Sequence, residues 1–413
     1  MTIKTKLKRP EVLAPGGTLE KLKTAIHYGA DAVYIAGVEY GLRRRAGNFT
    51  FEEMQEGVQF AKKHGAKVYV AANMIAHEND TDGAGEFFRK VRDTGVDAVI
   101  VADPALIEIC IMEAPGLPVH LSTQASATNY ETLNFWHGEG LERVVLGREV
   151  TMDEIREMRQ NTDVEIEVFI HGAMCISYSG RCTLSNHMSA RDANRGGCSQ
   201  SCRWRYDLFE IPELTERHSL LGGDPEEAFS MSAVDMSMIR HIPELVDIGV
   251  DSLKIEGRMK SIHYVSTVSN VYSKVVDAYC SDPENFEFDP AWEDELWKVA
   301  QRELATGFYF GTPTEDQQLF GKRRKIPGYT FIGQVLDYDE ETGIATIEQR
   351  NLFEVGDEVE FYGPNFTHHT QIIEKLWDEH GNEIDRAPHP LMKVKMKVTQ
   401  PVKPLDMMRK RKN

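Results

Sequence analysis

A short pattern that recurs along the chain constrains the fold more than any other feature of the sequence. A glycine is followed by a small or apolar residue, an acid and an apolar run at Gly29–Ile35, Gly95–Val101 and Gly249–Ile255, and more loosely at Gly140–Leu146. Glycine commonly ends a helix in the left-handed conformation, and a β-branched run after it is typical of a buried strand. The repeat therefore predicts alternating helices and strands around a parallel sheet.

Counting such runs predicts eight strands. Eight strand–helix units over roughly 270 residues match the usual size of a (β/α)₈ barrel of the TIM type. The alternative is an open doubly wound sheet, but Gly16-Gly17 is too short for a dinucleotide-binding fingerprint after the first strand. Capping boxes at Thr50–Glu53 and Thr151–Glu154 predict where two helices begin. The predicted strands are Glu11–Ala14, Ala32–Ala36, Lys67–Ala72, Ala98–Ala102, Val119–Thr123, Arg143–Gly147, Glu165–Ile170 and Ser252–Glu256.

The predicted domains follow from where this rhythm is interrupted. About eighty residues separate the seventh strand from the eighth, and a loop of that length in a compact domain is usually functional. We predict a barrel over residues 1–280 with a Cys-rich insertion over 171–250, which would leave from the C-terminal face, where barrel enzymes have their active sites. A helical connector is predicted over 281–327. Short alternating strands then predict a small β-barrel domain over 328–413.

The charge of the chain limits its partners and its location. A net charge of −18 argues against non-specific binding of nucleic acid by the chain as a whole. Basic residues nevertheless cluster at Lys322–Lys325 and Arg409–Lys412, where a solvated surface is the simpler interpretation. The N-terminal residues lack the apolar stretch of a secretory signal, and no apolar run is long enough to span a bilayer. We therefore expect a cytoplasmic protein that has no membrane partner.

Four of the six cysteines lie close together, at Cys175, Cys182, Cys198 and Cys202. Six cysteines are too few for a disulfide framework in a chain of this length. Four thiolates in one loop suit either an iron–sulfur cluster or a tetrahedral zinc ion, although structural zinc sites favour pairs of tighter knuckles. His171 lies beside these cysteines and is a candidate catalytic residue, with a structural histidine as the alternative.

The eighth predicted strand carries three charges at a spacing of two. Lys254, Glu256 and Arg258 therefore share one side of the strand. Buried charges are costly unless they are paired, so an internal ion pair around Glu256 that only stabilises the barrel is one interpretation. The functional interpretation is that Lys254 and Arg258 bind a substrate, with the planar guanidinium of Arg258 directed at a carboxylate and Glu256 acting in catalysis.

The segment Glu167–Ser185 resembles the defining motif of peptidase family U32, the collagenase-like proteins. The shared residues are the glutamate, the phenylalanine, two glycines, two cysteines and the final serine, at the spacing of the family. Leu13–Gly17, Tyr40–Arg43 and Ser252–Arg258 are similar to further blocks of the family. The resemblance covers most of residues 10–280 and continues into the C-terminal domain.

The resemblance implies hydroxylation rather than proteolysis. Several members of the family are hydroxylation proteins that carry a [4Fe-4S] cluster on four cysteines. Branches act on a transfer-RNA wobble uridine with prephenate as a required metabolite, on a ribosomal-RNA cytidine, or in ubiquinone synthesis. The length and single β domain of this chain are most similar to the transfer-RNA branch. The implied partner is the tRNA anticodon loop and the implied product is 5-hydroxyuridine. A peptidase is the alternative, although no recognisable hydrolytic motif occurs in the sequence.

Further contacts follow from this resemblance. Prephenate has two carboxylates, which Arg258 and Arg43 are expected to bind. An unpaired wobble base can stack on an aromatic ring, for which Trp204 is a candidate, with core packing as the alternative. The basic runs of the C-terminal region are expected to follow the phosphate backbone. The sequence does not indicate any protein partner.

Overall fold

The computed structural model describes residues 7–42, 47–206, 230–319 and 328–412. The chain divides into two compact units. Within the described ranges, no helix is both long enough and apolar enough to cross a membrane. The first unit consists of Met1–Lys23, Asp31–Met259 and Arg302–Lys325, and the second consists of Thr24–Ala30, Lys260–Gln301 and Ile326–Asn413.

The first unit is built on a sheet of ten strands. They are β1 (Glu11–Pro15), β2 (Ala32–Ile35), β3 (Lys67–Ala72), β4 (Ala98–Val101), β5 (Val119–Leu121), β6 (Arg143–Val145), β7 (Glu165–Ala173), β8 (Asp235–Ser237), β9 (Ser252–Ile255) and β10 (Leu304–Ala305). Strands β1 to β7 pair in order and in parallel, and β9 closes the ring by pairing with both β7 and β1. The predicted TIM-type barrel is confirmed.

The helices begin and end where local sequence signals predict. The capping boxes of Thr50 with Glu53 and of Thr151 with Glu154 are both formed. The glycines of the repeat lie in the left-handed region, with φ of 93° at Gly29. The α-helices are α1 (Leu19–His27), α2 (Phe51–Lys63), α3 (Ala84–Asp93), α4 (Pro104–Glu113), α5 (Tyr130–Gly138), α6 (Met152–Asn161), α7 (Leu184–Ser189), α8 (Ile242–Ile248), α9 (Ile262–Ser281) and α10 (Pro290–Trp297).

Strand β7 is longer than its neighbours, and its extension reaches into the predicted insertion. Its last three residues, His171 to Ala173, pair in antiparallel orientation with β8, and β10 then adds to β8 in parallel. This small additional sheet continues the barrel wall beyond the C-terminal ends of the parallel strands. The chain that carries the cysteines leaves from this extension, which lies at the C-terminal face of the barrel.

The second unit contains an antiparallel sheet of eight strands in the order β15-β14-β20-β11-β12-β19-β16-β17, with β13 and β18 as a separate pair. Its core includes Ile332, Phe353, Phe361 and Val394, all at most 1% exposed. Among the described residues, the two strands at the ends of this order, β15 and β17, are not paired with each other. The strands are β11 (Tyr329–Asp339), β12 (Ile344–Gln349), β13 (Phe353–Glu354), β14 (Glu358–Gly363), β15 (Thr367–Ile372), β16 (Leu376–Asp378), β17 (Glu383–Ile384), β18 (Arg386–Ala387), β19 (Lys393–Lys397) and β20 (Met407–Arg411).

The predicted helical connector over 281–327 differs from the structure. In the described part of that range, α10 is the one α-helix, and Leu304–Ala305 instead forms β10 in the barrel sheet. Asp289 caps the start of α10, and Pro290 fits its first turn because the missing N–H would have had no helical partner. The extended segment after it is stabilised by pairing with β8, a contact between residues far apart in sequence.

Candidate metal centre at the barrel mouth

The four clustered cysteines lie in one segment, residues 174–206, which we call the cysteine segment. All four have free thiols; Cys175 is exposed and the other three are partly buried. The Cys202 thiol interacts electrostatically with each of the other three. The fold therefore brings together four sulfurs that span 28 residues of sequence.

The local electrostatics disfavour four bare thiolates. Burial raises the pKa of the Cys202 thiol, the nearby Arg203 guanidinium opposes this, and the other three cysteines raise the pKa further. Thiolates repel one another at short range, so ionising all four requires a bound cation. The donor set therefore fits a metal ion or a metal cluster.

The spacing of the sulfurs can be compared with the spacing that each kind of metal site needs. Among the described residues, only Glu295, Glu360 and His368 bring three possible metal-binding atoms within 4.8 Å of one another. No three of the cysteine sulfurs are therefore that close together. Four sulfurs around one Zn²⁺ at about 2.3 Å would lie roughly 3.8 Å apart. A multi-iron cluster holds its cysteines farther apart because they bind different iron atoms.

Buried serines hold the cysteine segment in shape. The Ser199 hydroxyl lies 3.1 Å from the Ser185 hydroxyl and 2.6 Å from the Ser201 hydroxyl. Ser185 and Ser201 are 2% and 1% exposed. The side-chain amide of Asn194 also donates to the Cys182 carbonyl, at 3.2 Å. This network fixes the backbone around the thiols, and it accounts for the serine at the end of the sequence motif.

Two glycines of that motif are required by close backbone contacts. Gly172 has φ of 111°, and a Cβ there would lie 2.5 Å from the Glu256 carbonyl oxygen. Gly180 has φ of 70°, and a Cβ there would lie 1.9 Å from the Gln124 carbonyl oxygen. Both separations are far below a normal contact, so any side chain would displace the segment from the barrel.

Arg148, in the loop after β6, links the cysteine segment to the barrel mouth. Its guanidinium donates to the Ala173 carbonyl at 3.0 Å and lies 3.8 Å from the Cys175 sulfur. It is 3.6 Å from the Glu256 carboxylate and stacks over the Phe169 ring at 3.9 Å. Sequence analysis missed this residue because nothing around it indicates a contact with a thiol 27 positions later.

The three charges that were predicted to share one side of a strand lie in different surroundings, because β9 ends at Ile255 and contains only Lys254. The Lys254 ammonium is buried and lies 2.7 Å from Glu167, which also contacts Arg143 at 3.2 Å. The centre of the buried ion-pair network is therefore Glu167 rather than Glu256. Burial alone would raise the pKa of Glu167, but Lys254 and Arg143 outweigh it and lower that pKa to about 2. Lys254 is thus committed to the barrel interior.

The other predicted site residues lie nearer the mouth. Arg258 is 5% exposed and donates to the Leu42 carbonyl at 2.6 Å and to the Asn48 side chain at 3.3 Å. Arg43 lies outside the described residues. His171 is 2% exposed, and its carbonyl accepts a hydrogen bond from the Glu256 amide at 2.8 Å. Glu256 keeps about a fifth of its side chain exposed, 22%.

Trp204 is not a core residue. Its side chain is 40% exposed, two positions after Cys202. The local reason is that a 3₁₀ turn over Ser201–Arg203 ends at Trp204, which adopts an extended conformation. An exposed indole beside the candidate metal centre remains available for stacking.

The prediction that Arg409 contacts phosphate is wrong. Arg409 is 0% exposed, and its guanidinium binds Glu295 at 2.9 Å and Glu360 at 2.9 Å. Lys410 is bound to Asp357 at 2.6 Å. Alternation along β20 directs Arg409 inward, where the two carboxylates neutralise it, so these carboxylates form an internal ion-pair network and not a metal site. The other basic run, 322–325, lies outside the described residues.

The fold and this site together define a class: a TIM-type barrel protein with four thiols gathered at its C-terminal face. The chain belongs to peptidase family U32, whose model matches residues 17–319, while the model of the peptidase family U32 C-terminal domain matches residues 327–409.

Three relatives illustrate the range of the family. The chain is 56% identical to tRNA hydroxylation protein P1 of Bacillus subtilis (strain 168), over 98% of this chain and 96% of that protein. It is 34% identical to tRNA hydroxylation protein P of Escherichia coli (strain K12), over 92% of each. It is 32% identical to the collagenase of Porphyromonas gingivalis, over 89% of each.

Proposed function

We propose that this protein is a tRNA-modifying enzyme that hydroxylates the wobble uridine at carbon 5. The proposal rests on the four thiols that lie at the C-terminal face of the barrel. The chain that carries them is 56% identical, over almost its full length, to a tRNA hydroxylation protein. Active sites of TIM-type barrels lie at this face. The anticodon loop of a tRNA presents its wobble base unpaired, so the base can enter a pocket without melting a duplex.

We further propose that Cys175, Cys182, Cys198 and Cys202 bind a [4Fe-4S] cluster, with zinc as the alternative. The spacing of their sulfurs supports a cluster, since no three lie within 4.8 Å of one another among the described residues. A cluster bound there would supply one-electron transfer. The Arg148 and Arg203 guanidinium groups beside the thiols would partly balance the charge of the cysteinate ligands.

The chain's own residues at the mouth would bind the substrate and move protons. Glu256, held by Arg148 at 3.6 Å and lying 3.5 Å from the Tyr34 hydroxyl, is the proposed proton acceptor. His171 sits on the same side through its bond to the Glu256 backbone, and we propose that it orients that carboxylate. His171 lies on β7, which leads into the cysteine segment, and Glu256 directly follows the last residue of β9.

Prephenate is proposed as the required metabolite, bound through its carboxylates by Arg258 and Arg43. Support comes from the bond of Arg258 to the carbonyl of Leu42, the residue directly before Arg43. A guanidinium can bind a carboxylate through two parallel hydrogen bonds. Arg258→Lys keeps the charge and loses this fork, so it should weaken prephenate binding while the protein keeps its iron. Equal prephenate affinity in calorimetry would show that Arg258 is only structural.

Mass spectrometry of tRNA nucleosides tests the function directly. A strain that lacks the gene should lose 5-hydroxyuridine at the wobble position and regain it with the wild-type chain. The Cys182→Ser variant should not restore the nucleoside, whereas Cys280→Ser, which changes a cysteine outside the cysteine segment, should. A deletion strain that is also unable to make prephenate should remain unmodified even with the wild-type chain. Normal modification in the deletion strain would refute the proposal.

A peptidase is the second candidate, supported by the 32% identity to a collagenase. Gelatin cleavage by the anaerobically purified, iron-containing protein distinguishes the two. A hydrolase would cleave gelatin and leave tRNA unchanged, whereas the proposed enzyme would show the opposite pattern.

A further inference from the structure

The cysteine segment differs in charge from the rest of the chain. Residues 174–206 contain five arginines and a single acidic residue, Asp192, which corresponds to a formal charge of +4. The whole chain has a net charge of −18. A local excess of positive charge on an otherwise acidic protein attracts a polyanion to that place in particular.

Not all five arginines are available to a ligand. Arg195 is bound to Asp80 at 2.6 Å, and Arg203 donates to the Met174 carbonyl at 3.3 Å. Arg181 and Arg205 are exposed, and neither forms an ion pair with any described residue. Arg191 is only partly exposed, so Arg181 and Arg205 are the two exposed guanidinium groups of the cysteine segment that can bind phosphate.

The same segment exposes two large aromatic rings. Tyr178 is 69% exposed and Trp204 is 40% exposed. Tyr178 follows Cys175 by three positions and Trp204 follows Cys202 by two, so each Cα lies within about 10 Å of a cysteine Cα. The Arg203 guanidinium donates to the Met174 carbonyl at 3.3 Å, so the chain beside Cys202 contacts the chain beside Cys175, and the two rings border the same site. Large rings that are exposed together beside one site are typical of a binding surface, whereas a ring exposed singly is ordinary.

We propose that the cysteine segment is the RNA-binding surface of this protein and holds an unpaired nucleotide next to the thiols. Tyr178 and Trp204 stack on the base, and Arg181 and Arg205 bind the flanking phosphates. Stacking needs an exposed base face, so the surface selects single-stranded loops over duplexes. The assignment rests on the proposed function for the identity of the RNA, whereas the surface chemistry is independent of the reaction.

Interleaved arginines and aromatic rings favour RNA over a protein partner. Ile176 and Met188, at 43% and 42% exposed, would also suit an apolar protein surface. However, a segment with five arginines and one acid lacks the mixed charges that complement an ordinary protein surface. Arginine paired with exposed aromatic rings is instead typical of single-strand nucleic-acid sites.

Binding of a fluorescent RNA hairpin with a uridine in its unpaired loop tests the proposal. The full-length, iron-containing protein should bind the hairpin more tightly than a fully paired duplex of the same length. Trp204→Ala and Tyr178→Ala should each weaken hairpin binding by about 5- to 150-fold and leave duplex binding unchanged. Arg181→Gln with Arg205→Gln should make the slope of log affinity against log salt less negative by about 1.4.

Matched controls lie elsewhere on the barrel. Phe135 on α5 is 59% exposed, and Phe135→Ala removes a comparable ring. Arg89→Gln with Arg156→Gln removes two exposed guanidinium groups from α3 and α6. These variants should bind the hairpin as the wild type does. Iron content is measured for every variant. If Trp204→Ala or Tyr178→Ala loses iron, the proposal is tested instead with Arg181→Gln plus Arg205→Gln and with Arg181→Glu.

The outcomes separate this inference from the proposed function. If hairpin binding depends on the four residues but no tRNA is hydroxylated, the RNA-binding surface is supported and the proposed hydroxylation is refuted. If tRNA is hydroxylated but every variant binds the hairpin as the wild type does, the proposed hydroxylation is supported and the RNA-binding surface is overturned. Loss of gelatin binding in the ring variants, with RNA binding intact, would overturn the surface in favour of a protein ligand.

Discussion

Two arginines at opposite ends of β6 meet very different surroundings. Arg143, at the start of the strand, contacts Glu11 at 2.8 Å, Glu165 at 2.7 Å and Glu167 at 3.2 Å. Arg148, just beyond its end, is near one carboxylate, that of Glu256 at 3.6 Å, and otherwise contacts a carbonyl, a ring and a thiol.

The difference separates charges that stabilise the barrel from charges that serve its site. Around Arg143 each buried charge is compensated, so the network specifies the barrel but has no capacity for a ligand. Around Arg148 the compensation is partial, and one of its contacts is a thiol of the candidate metal centre. This division matches the general behaviour of TIM-type barrels, in which the N-terminal face stabilises and the C-terminal face reacts.

The largest effect is expected at the mouth. Cys182→Ser removes one of the four proposed cluster ligands, so the purified protein should lose the iron and the visible absorption that the proposed cluster would give it. The barrel should keep its far-UV circular dichroism, because the thiols lie outside the parallel strands. Cys280→Ser should keep the iron. A Cys182→Ser protein with full iron content would exclude this cysteine as a ligand, and stoichiometric zinc in the wild type would exclude the cluster.

The next largest effect is expected in the buried ion-pair network around Arg143 and Glu167. Lys254→Met leaves the Glu167 carboxylate buried with only part of its compensation, which should lower the free energy of unfolding by about 3–5 kcal/mol in urea titrations. Lys67→Met is the control, since its ammonium is 56% exposed and 3.9 Å from Glu11, and should cost less than about 1 kcal/mol. Equal costs would show that the buried network is not what stabilises the barrel.

The pH dependence of stability should report the same network. The pKa of Glu167 is about 2 in the folded chain and lies near 4.3 in the unfolded chain, so the unfolded state binds more protons in between. Its contribution, about 3 kcal/mol, is fully present above pH 4.3 and is lost as the pH falls towards 2. Urea unfolding from pH 5 to pH 2.5 should show this loss, and Glu167→Gln should flatten it. An equally steep decline in that variant would assign it to other carboxylates.

A smaller effect on stability than that of Lys254→Met is expected at Arg148. Arg148→Gln removes a stacked cation from Phe169 and should cost about 1–2 kcal/mol. The loss of positive charge beside the Cys175 sulfur should lower the reduction potential of the proposed iron–sulfur cluster, measured by spectroelectrochemistry. Arg148→Lys should restore most of the potential. If Arg148→Gln were as destabilising as Lys254→Met, the two ends of β6 would not differ as we infer.

Much of the fold was predictable because its signals are local. Gly95 followed by an acid and an apolar run predicts a helix end and a strand without reference to any distant residue. The spacing of the four cysteines likewise predicts a metal site, since all the donors lie in one loop. The capping boxes at Thr50 and Thr151 need only residues three positions apart.

Tertiary structure decided what each charge does, because pairing depends on neighbours that are far away in sequence. Lys254 and Glu167 are 87 positions apart, and Arg143 and Glu11 are 132 apart. No local pattern distinguishes Arg143 from Arg148, or shows that Arg409, in a basic run, is buried between two carboxylates. A charge is stabilised by whatever the fold places within a few ångströms of it, so the sequence determined which charges exist and the closed barrel determined which remain available for chemistry.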